Sequence, residues 1–373
     1  MNFKIAKKEF LDVLSLCSRA ISTTTPLPSL LGVKITATPN SLTLISSDSN
    51  ISIKTSINNN DTSTLIINEP GEIVLDARYL LEMVRKIDSE FINVEIMDGT
   101  LVRIYSGKSE YKINGMDASE YPQISFNTEN TTPFKLQTTL FNQIIDETAF
   151  ACSEKETRPV LTGVNLKARD NKIFANATDS YRLASKTITI DKDLSFDITI
   201  PKKYLTEIYH AIADKDEVTI AIDNQKISFL FDNTIIETRL LDDEFPNTER
   251  LIPTSISQKL VVSSKQLIDA IDSTLFIKAD GKNIVRLNVN DERVELASSN
   301  QTGISYNNEL PVIRYEGDPL EISCSGKYLQ DAIKAIGSDE ILIDFARDMK
   351  TIVIKKEGDD SLIQLVSLVR TYR

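Results

Sequence analysis

The chain has 373 residues, of which 41 % are apolar, and this length is typical of two or three domains with well-filled cores. Its formal net charge of −12 argues against binding of nucleic acid through a uniformly basic surface. One histidine and three widely spaced cysteines exclude a two-histidine metal site, a CxxC zinc site and a disulfide framework, so we expect a cytoplasmic protein without metal or cofactor.

Along the chain, the same succession of sequence words occurs three times. A first amphipathic helix is predicted at 10–14 (FLDVL), 141–145 (FNQII) and 267–271 (LIDAI). A proline-containing word follows it in the first two copies, PSLLGV from Pro28 and PVLTGV from Pro159. Short segments of alternating polarity then predict strands. Such segments are 51–54, 164–167, 218–222, 285–289 and 294–296.

A second helix carries the strongest repeat. Segments 79–87 (YLLEMVRKI), 204–212 (YLTEIYHAI) and 328–336 (YLQDAIKAI) align without a gap, and Tyr121-Pro122 and Phe245-Pro246 close the first two copies. The order of the words predicts three domains with bounds 1–125, 126–252 and 253–373. Two helices and many short strands in each copy indicate α+β domains, with helices packed on antiparallel sheet.

The repeated helix has a periodic charge pattern. At about 100° per residue, its first, second, fifth, sixth and ninth positions form one apolar face. Two basic columns lie almost opposite, just before the tyrosine and at the seventh position. Together the basic columns are Arg78, Lys203, Lys327 and Arg85, His210, Lys334. This recurrence indicates a surface that faces a polyanion; a solvated helix face, with His210 a plain surface residue, is the alternative.

A carboxylate column, Glu82, Glu207 and Asp331, accompanies the basic columns and can pair with the residue four positions earlier.

Signatures of catalysis are missing. The sequence has no GxG pair, no P-loop and no GxSxG elbow. The acidic run 242–244 precedes a Phe-Pro turn, which is typical of a solvated loop, with cation binding as the alternative. We therefore expect a protein that is not an enzyme.

Five motifs connect the chain to a known family. They are LPSL at 27–30, RPVLTGV at 158–164, ATDSYRLA at 177–184, EFP at 244–246 and LVSLVRTY at 365–372. With these motifs, their order and the threefold repeat, the chain resembles the bacterial sliding clamps, the beta subunits of DNA polymerase III, over its whole length. The resemblance implies a DNA clamp fold, in which two three-domain chains join head to tail into a six-domain ring. Helices line the hole, through which double-stranded DNA passes.

The resemblance also implies three sets of functional residues. The DNA-facing set comprises Lys7, Lys8, Arg78, Arg85, Lys202, Lys203, His210, Lys265, Lys327 and Lys334. The dimer interface would include Tyr111, Leu275 and Phe276. A peptide cleft would bind the replicative polymerase alpha subunit, the clamp loader, other DNA polymerases and repair proteins. The cleft would be lined by Arg158, Leu161, Thr178, Ser180, Tyr181, Arg182, Leu183, Pro246, Arg250, Leu251, Thr351, Val366, Leu368, Val369 and Arg370.

The cleft chemistry suits a mostly apolar peptide, because apolar anchors supply affinity and arginines at the rim orient the partner. Core packing is the alternative role of Leu161, Leu183 and Leu251. The sequence departs from the family at three positions: Tyr181 replaces a histidine, Leu368 replaces a proline, and Thr24 replaces an arginine that touches DNA. Two other classes of protein stay open: a carboxylate-dependent hydrolase on a repeated domain, and a repeat scaffold that binds only proteins.

Overall fold

The computed structural model describes residues 1–60, 63–129 and 131–369, and it confirms the expected α+β class. Each predicted helix is present at its repeated word. The α-helices of these residues are α1 (Lys7–Cys17), α2 (Ala77–Lys86), α3 (Thr138–Thr148), α4 (Lys202–Ala211), α5 (Ser264–Asp272) and α6 (Gly326–Ile336). None of the helices in these ranges is both long enough and apolar enough to cross a membrane.

The strands are short, and their pairings are antiparallel throughout the described residues. In chain order they are β1 (Asn2–Ala6), β2 (Gly32–Thr38), β3 (Ser41–Ser47), β4 (Ile51–Asn58), β5 (Ile66–Glu69), β6 (Gly71–Asp76), β7 (Phe91–Asp98), β8 (Leu101–Ser106), β9 (Ser109–Asn114), β10 (Phe134–Gln137), β11 (Gly163–Arg169), β12 (Lys172–Thr178), β13 (Arg182–Thr189), β14 (Phe196–Pro201), β15 (Glu217–Ile222), β16 (Lys226–Phe231), β17 (Thr234–Arg239), β18 (Ile256–Ser263), β19 (Ile284–Val289), β20 (Arg293–Ser299), β21 (Ser305–Pro311), β22 (Arg314–Glu316), β23 (Leu320–Ser325), β24 (Glu340–Ala346), β25 (Thr351–Lys355) and β26 (Leu362–Ser367). All five segments predicted from alternation lie in strands.

The chain divides into two compact units. Unit 1 comprises Met1–Thr139 and Tyr204–Leu240, and unit 2 comprises Leu140–Lys203 and Leu241–Arg373. These divisions fall inside the second repeat, because the strands of that repeat belong to two different sheets. The predicted domain bounds near residues 125 and 252 therefore stay predictions.

Unit 1 contains two sheets. One has five strands in the order β5-β1-β7-β8-β9, and the other has eight in the order β10-β15-β16-β17-β4-β3-β2-β6. Strand β17 of the second repeat pairs with β4 of the first, with Ile53 opposite Ile236. Beside them, the hydroxyls of Thr55 and Thr234 are hydrogen-bonded at 2.9 Å. The eight-stranded sheet thus continues from one repeat into the next.

Unit 2 has the same arrangement, but its continuous sheet joins the second repeat to the third. Its nine-stranded sheet has the order β14-β11-β12-β13-β26-β25-β24-β18-β22, and its four-stranded sheet has the order β21-β20-β19-β23. Here β13 of the second repeat pairs with β26 of the third, with Leu183 opposite Leu365. Strand β9 in unit 1 and strand β21 in unit 2 each end a sheet.

Local side-chain bonds define where the repeated helix begins and ends. Asp76 caps α2 by accepting from the Tyr79 N–H at 3.0 Å, and Ser325 caps α6 by accepting from the Tyr328 N–H at 3.3 Å. Gly337 ends α6 with a φ of 66°, in the left-handed region that favours glycine.

The apolar face of the repeated helix packs as predicted, with one exception. Its second position is fully buried in all three repeats, at Leu80, Leu205 and Leu329. The first position differs, since Tyr204 is buried whereas the Tyr79 side chain is 52 % exposed. Placing Tyr79 on the buried face was therefore wrong; its ring lies under the Arg78 guanidinium, 4.7 Å from the ring centroid.

Candidate DNA-facing helices and peptide cleft

The basic columns lie on the solvent side of their helices. All six members are exposed, two on each of α2, α4 and α6: Arg78, Arg85, Lys203, His210, Lys327 and Lys334. The buried leucine at the second position of each helix shows that the columns point away from the core. Each helix therefore presents two basic side chains to solvent, as the periodicity predicted.

The carboxylate column pairs with basic side chains in different ways in the first and third repeats. Asp331 accepts from the Lys327 ammonium at 2.6 Å, which confirms the pairing four residues apart. Glu82 pairs instead with Arg85, at 2.9 Å. Both side chains of the Glu82–Arg85 pair are more than half exposed, and such a pair contributes about 0.2–1 kcal/mol, so a phosphate group can replace the Glu82 carboxylate at small cost.

The other basic residues of the DNA-facing set have varied surroundings. Lys8 on α1 and Lys265 on α5 are exposed, and Lys202 is half-buried at the start of α4. Lys7 makes hydrogen bonds within unit 1: its ammonium donates to the backbone carbonyls of Arg85 at 2.9 Å and of residue 87 at 2.7 Å. These bonds satisfy the C-terminal end of α2 and complement its dipole.

The turn between β12 and β13 forms one wall of the predicted peptide cleft. The Thr178 hydroxyl donates to the Arg182 carbonyl at 2.6 Å, and the Asp179 carboxylate accepts from the N–H groups of Tyr181 and Arg182 at 2.9 and 3.0 Å. Ser180 has a φ of 77°, an uncommon conformation for a residue with a side chain. This tight turn leaves Tyr181 62 % exposed.

Arg182 lies beneath this turn, so a rim position for its guanidinium was wrong. Its side chain is 12 % exposed. The guanidinium donates to Asp179 at 3.0 Å and to Asp331 at 2.9 Å. It also lies over the rings of Tyr328 and Phe150, 4.4 and 5.3 Å from their centroids. Two carboxylates and two aromatic faces thus fix the position of one buried cation.

The last described residues are tied to neighbouring segments of unit 2. The Leu368 N–H donates to the Lys350 carbonyl at 2.8 Å, and the Val369 N–H donates to the Ser323 carbonyl at 2.7 Å. A proline, the usual residue of the family at position 368, has no N–H to donate. The departure at Leu368 therefore adds a backbone hydrogen bond between two residues of unit 2, Leu368 and Lys350.

The remaining cleft residues fall into three classes of exposure. The exposed ones are Arg158, Ser180, Tyr181, Arg250, Leu251 and Val369. Half-buried residues are Pro246, Thr351 and Leu368. The buried ones are Leu161, Thr178, Leu183 and Val366. Arg370 lies outside the described residues. Core packing thus accounts for Leu161 and Leu183, whereas Leu251, which is 50 % exposed, is available to a partner.

A cavity of about 320 Å³ borders the end of the described chain. Its lining residues are Glu321, Ile322, Ser323, Met349, Lys350, Leu368 and Val369. The last two belong to the predicted cleft, and the other five were missed. No sequence motif marks those five, because it is the hydrogen bonds from the chain end that bring the three segments together.

The predicted interface residues lie at the ends of two sheets. Tyr111 is half-buried on the terminal strand β9. Phe276 is 70 % exposed on the segment after α5, and Leu275 packs partly against the core of unit 2. Phe276 is the most exposed of the large apolar side chains among the described residues, and its place in an interface stays a prediction.

A buried amide holds the segment that carries Phe276. The Asn283 amide nitrogen donates to the carbonyl oxygens of Thr274 and Ile277 at 2.7 and 3.0 Å. Gly326, the first residue of α6, lies against this amide and donates its N–H to the Asn283 carbonyl at 3.1 Å. The Asn283 side chain thus holds the loop, and the backbone carbonyl of the same residue binds the helix start beside it.

Two further predictions concern loops and ions. Thr24, where the family has an arginine, is exposed, and its N–H is hydrogen-bonded to the Ser22 hydroxyl at 3.3 Å. Asp242, Asp243 and Glu244 are exposed, as a solvated loop requires. Across residues 1–60, 63–129 and 131–369, no three His, Cys, Asp or Glu side chains cluster in a way that could hold a metal ion.

Comparison with known proteins identifies the family. Three family models match successive parts of the chain: the N-terminal domain of the DNA polymerase III beta subunit at residues 1–125, its central domain at 135–247 and its C-terminal domain at 249–370. The beta sliding clamp of Bacillus subtilis is 35 % identical over the full length of both chains, and that of Staphylococcus aureus is 33 % identical over the same extent.

Solved structures agree with this result. The crystal structure of the DNA polymerase sliding clamp from Bacillus subtilis has a TM-score of 0.95 at 34 % identity and covers all of both chains. The beta subunit from Streptococcus pyogenes has a TM-score of 0.93 at 30 % identity, again with full coverage. The fold is therefore that of a DNA clamp. The chain belongs to the beta sliding clamp family, the beta subunits of DNA polymerase III.

Proposed function

We propose that two copies of this chain close head to tail around duplex DNA and slide along it, without catalytic activity of their own. The observation that carries the proposal is the exposure of all six basic-column residues in a chain of net charge −12. Few and weak phosphate contacts suit a sliding protein, because affinity for any one position on DNA would slow its movement. An exposed aromatic ring, Tyr79, lies beside Arg78 of the basic columns, but stacking on an aromatic ring accepts any base, so no sequence preference is expected.

The ring would be closed by two unlike sheet ends. Strand β9, with Tyr111, would pair with strand β21 of a second copy, against which α5 and the following Leu275 and Phe276 would pack. Both strands end their sheets in this chain, which leaves one side of each without a strand partner among the described residues. A contact between two different surfaces closes on itself when two copies supply two such junctions.

The cleft would bind a short apolar segment of each partner protein. Tyr181, Leu251 and Val369 offer exposed apolar surface, and Arg158 and Arg250 offer charge at its margin. The partners would be the replicative polymerase alpha subunit, the clamp loader, other DNA polymerases and repair proteins, all in the cytoplasm. Tethering a polymerase to a ring around DNA makes synthesis processive without tight DNA binding.

A topological experiment tests the proposal. The full chain is loaded on nicked circular DNA with its clamp loader, isolated by gel filtration and then treated with a nuclease that cuts the circle once. We expect the protein to stay on the circle and to leave the linear DNA. Retention on both forms would mean ordinary binding, and retention on neither would mean that no ring forms; each result contradicts the proposal.

A further inference from the structure

The carboxylate of Asp331 is shared between two cations with different predicted roles. One oxygen lies 2.6 Å from the ammonium of Lys327, a member of the basic columns. The other lies 2.9 Å from the guanidinium of Arg182, beneath the cleft turn. The Asp331 side chain is 16 % exposed and that of Arg182 12 %, whereas the Lys327 side chain is 60 % exposed. The buried side of the carboxylate thus faces the cleft, and its open side faces solvent.

Arg182 is connected to the exposed Tyr181 through the carboxylate of Asp179. Asp179 binds the Arg182 guanidinium at 3.0 Å, and the same carboxylate accepts from the Tyr181 N–H at 2.9 Å. An arginine held by Asp331 therefore holds Asp179, and Asp179 holds the turn that carries Tyr181. A cleft whose walls are fixed before binding loses less conformational entropy when it takes up a peptide.

We propose that Asp331 is a positioning residue that couples the DNA-facing side of α6 to the peptide cleft. While no phosphate is near, Lys327 forms an ion pair with Asp331 and so weakens the attraction between Asp331 and Arg182. When a DNA phosphate binds Lys327 instead, Asp331 attracts Arg182 more strongly, and the cleft turn becomes more rigid. DNA in the ring then raises peptide affinity, and by linkage a bound peptide favours the DNA contact of Lys327. This inference rests on the proposed function.

The helix offers a matched comparison for Lys327. Lys334 lies two turns further along α6, in the other basic column, and is also exposed. Within residues 131–369 it has no ion pair to Asp331, whose two oxygens bind Lys327 and Arg182. Replacing either lysine removes one positive charge from the same face of the same helix. Only the Lys327 replacement changes the surroundings of Asp331.

The first measurement is the affinity of the full chain for a fluorescein-labelled peptide from the clamp-binding segment of the polymerase alpha subunit, by anisotropy. Without DNA, Lys327→Met should bind the peptide about two- to threefold more tightly than wild type, the scale of one weak ion pair, and Lys334→Met should bind like wild type. Asp331→Asn should bind it up to about tenfold more weakly.

The second measurement uses rings loaded on circular DNA. Loading should raise the peptide affinity of the wild type and of Lys334→Met about two- to fivefold, and it should leave Lys327→Met unchanged. Asp331→Asn frees Lys327, so its retention on DNA should depend more steeply on salt although its peptide affinity falls. A general loss of structure would weaken both interactions together.

The outcomes separate the coupling from the function on which it rests. Equal peptide affinities of Lys327→Met and Lys334→Met, or a loss of both interactions in Asp331→Asn, would overturn the coupling alone. Failure of the wild type to bind the peptide would overturn the proposed cleft, and the coupling with it.

Discussion

Lys186 and Glu147 form an ion pair at 2.8 Å whose side chains are only 7 % and 16 % exposed. Glu147 lies in the last turn of α3, and Lys186 lies on β13, the strand that joins the second repeat to the third. Removing two charges from water costs several kcal/mol, and the attraction between them offsets this cost only while both are present. The pair is therefore a point at which a single substitution has a large effect.

Replacing this lysine tests the statement directly. Lys186→Met leaves the Glu147 carboxylate buried without a cation and should lower the free energy of unfolding by about 3–5 kcal/mol. Lys186→Met combined with Glu147→Leu should recover most of the loss, because no charge is then buried. Urea unfolding followed by circular dichroism measures both. A double variant as unstable as the single one would contradict the assignment.

Glu237, on β17, gives stability a pH dependence of definite sign. It is 3 % exposed, and burial raises the pKa of its carboxyl above the ordinary 4.5, although Lys226 at 3.2 Å opposes the rise. The folded state therefore keeps this proton to higher pH than the unfolded state does. Its contribution to stability is present below pH 4.5 and is lost as the pH rises through the raised pKa.

A neutral replacement of Glu237 makes this loss of stability with rising pH measurable. Glu237→Gln preserves the shape of the side chain and has no charge to bury, so it should match wild type near pH 4.5 and exceed its thermal unfolding midpoint increasingly toward neutral pH. Melting curves of both proteins over a series of pH values check the trend. A difference that does not vary with pH, or that has the opposite sign, would exclude this role for Glu237.

At the scale of elements, the start of α6 and the loop before β19 depend on each other. A Cβ atom on Gly326 would lie 2.1 Å from the amide oxygen of Asn283, which is closer than any real contact. The same amide fixes the segment that carries Phe276. The start of α6 and the loop that carries Phe276, a predicted interface residue, thus both contact Asn283.

The prediction at this scale concerns dimerisation. Gly326→Ala should displace the Asn283 amide, destabilise the chain by about 1–3 kcal/mol and weaken the dimer, because Phe276 moves. Asn283→Ala removes the amide without adding a methyl group and should weaken the dimer in the same way. Sedimentation over a range of concentrations measures both effects. A full-strength dimer in either variant would show that this loop does not contribute to the interface.

The elements could be predicted from the sequence more fully than the contacts between them. Helix period and repeated words place α2, α4 and α6 and their exposed columns, because these patterns are local. The use of Lys7 as a helix cap could not be predicted, since its acceptor carbonyls are 78 and 80 residues away. Likewise, Asp331 lies 149 residues from Arg182, and only the fold brings the two together.

At the scale of the whole chain, the net charge and the basic columns are expected to have opposite effects on association with DNA. In the proposed ring, the net charge of −12 would repel nucleic acid from most of the surface, and the columns would supply attraction along three helices. Ionic strength should therefore act on DNA retention through the columns rather than through the net charge. Variants that change equal numbers of charges at different places can show this difference.

The corresponding prediction uses two triple variants. Arg78, Lys203 and Lys327 changed together to Ala should reduce the slope of log retention against log salt, by up to about 0.9 for each phosphate that is no longer neutralised, with the dimer intact. The control changes Lys135, Lys172 and Lys259, exposed lysines on strands, to Ala and should leave the slope unaltered. Equal slopes in the two variants would contradict a contact between the basic columns and DNA. Dissociation of the first variant into monomers would mean that the columns belong to the dimer interface instead.

The two unlike sheet ends, β9 and β21, have a consequence for mixed populations. If β9 and β21 join as proposed, a subunit whose β21 edge is blocked by an inserted proline would keep an intact β9 edge and would still pair with one end of a normal subunit. The resulting pair has a single junction and cannot shut. In the proposed assembly that pair is held by one junction instead of two, so closed rings outcompete it, and the blocked subunit should lower the yield of rings only when it is present in excess.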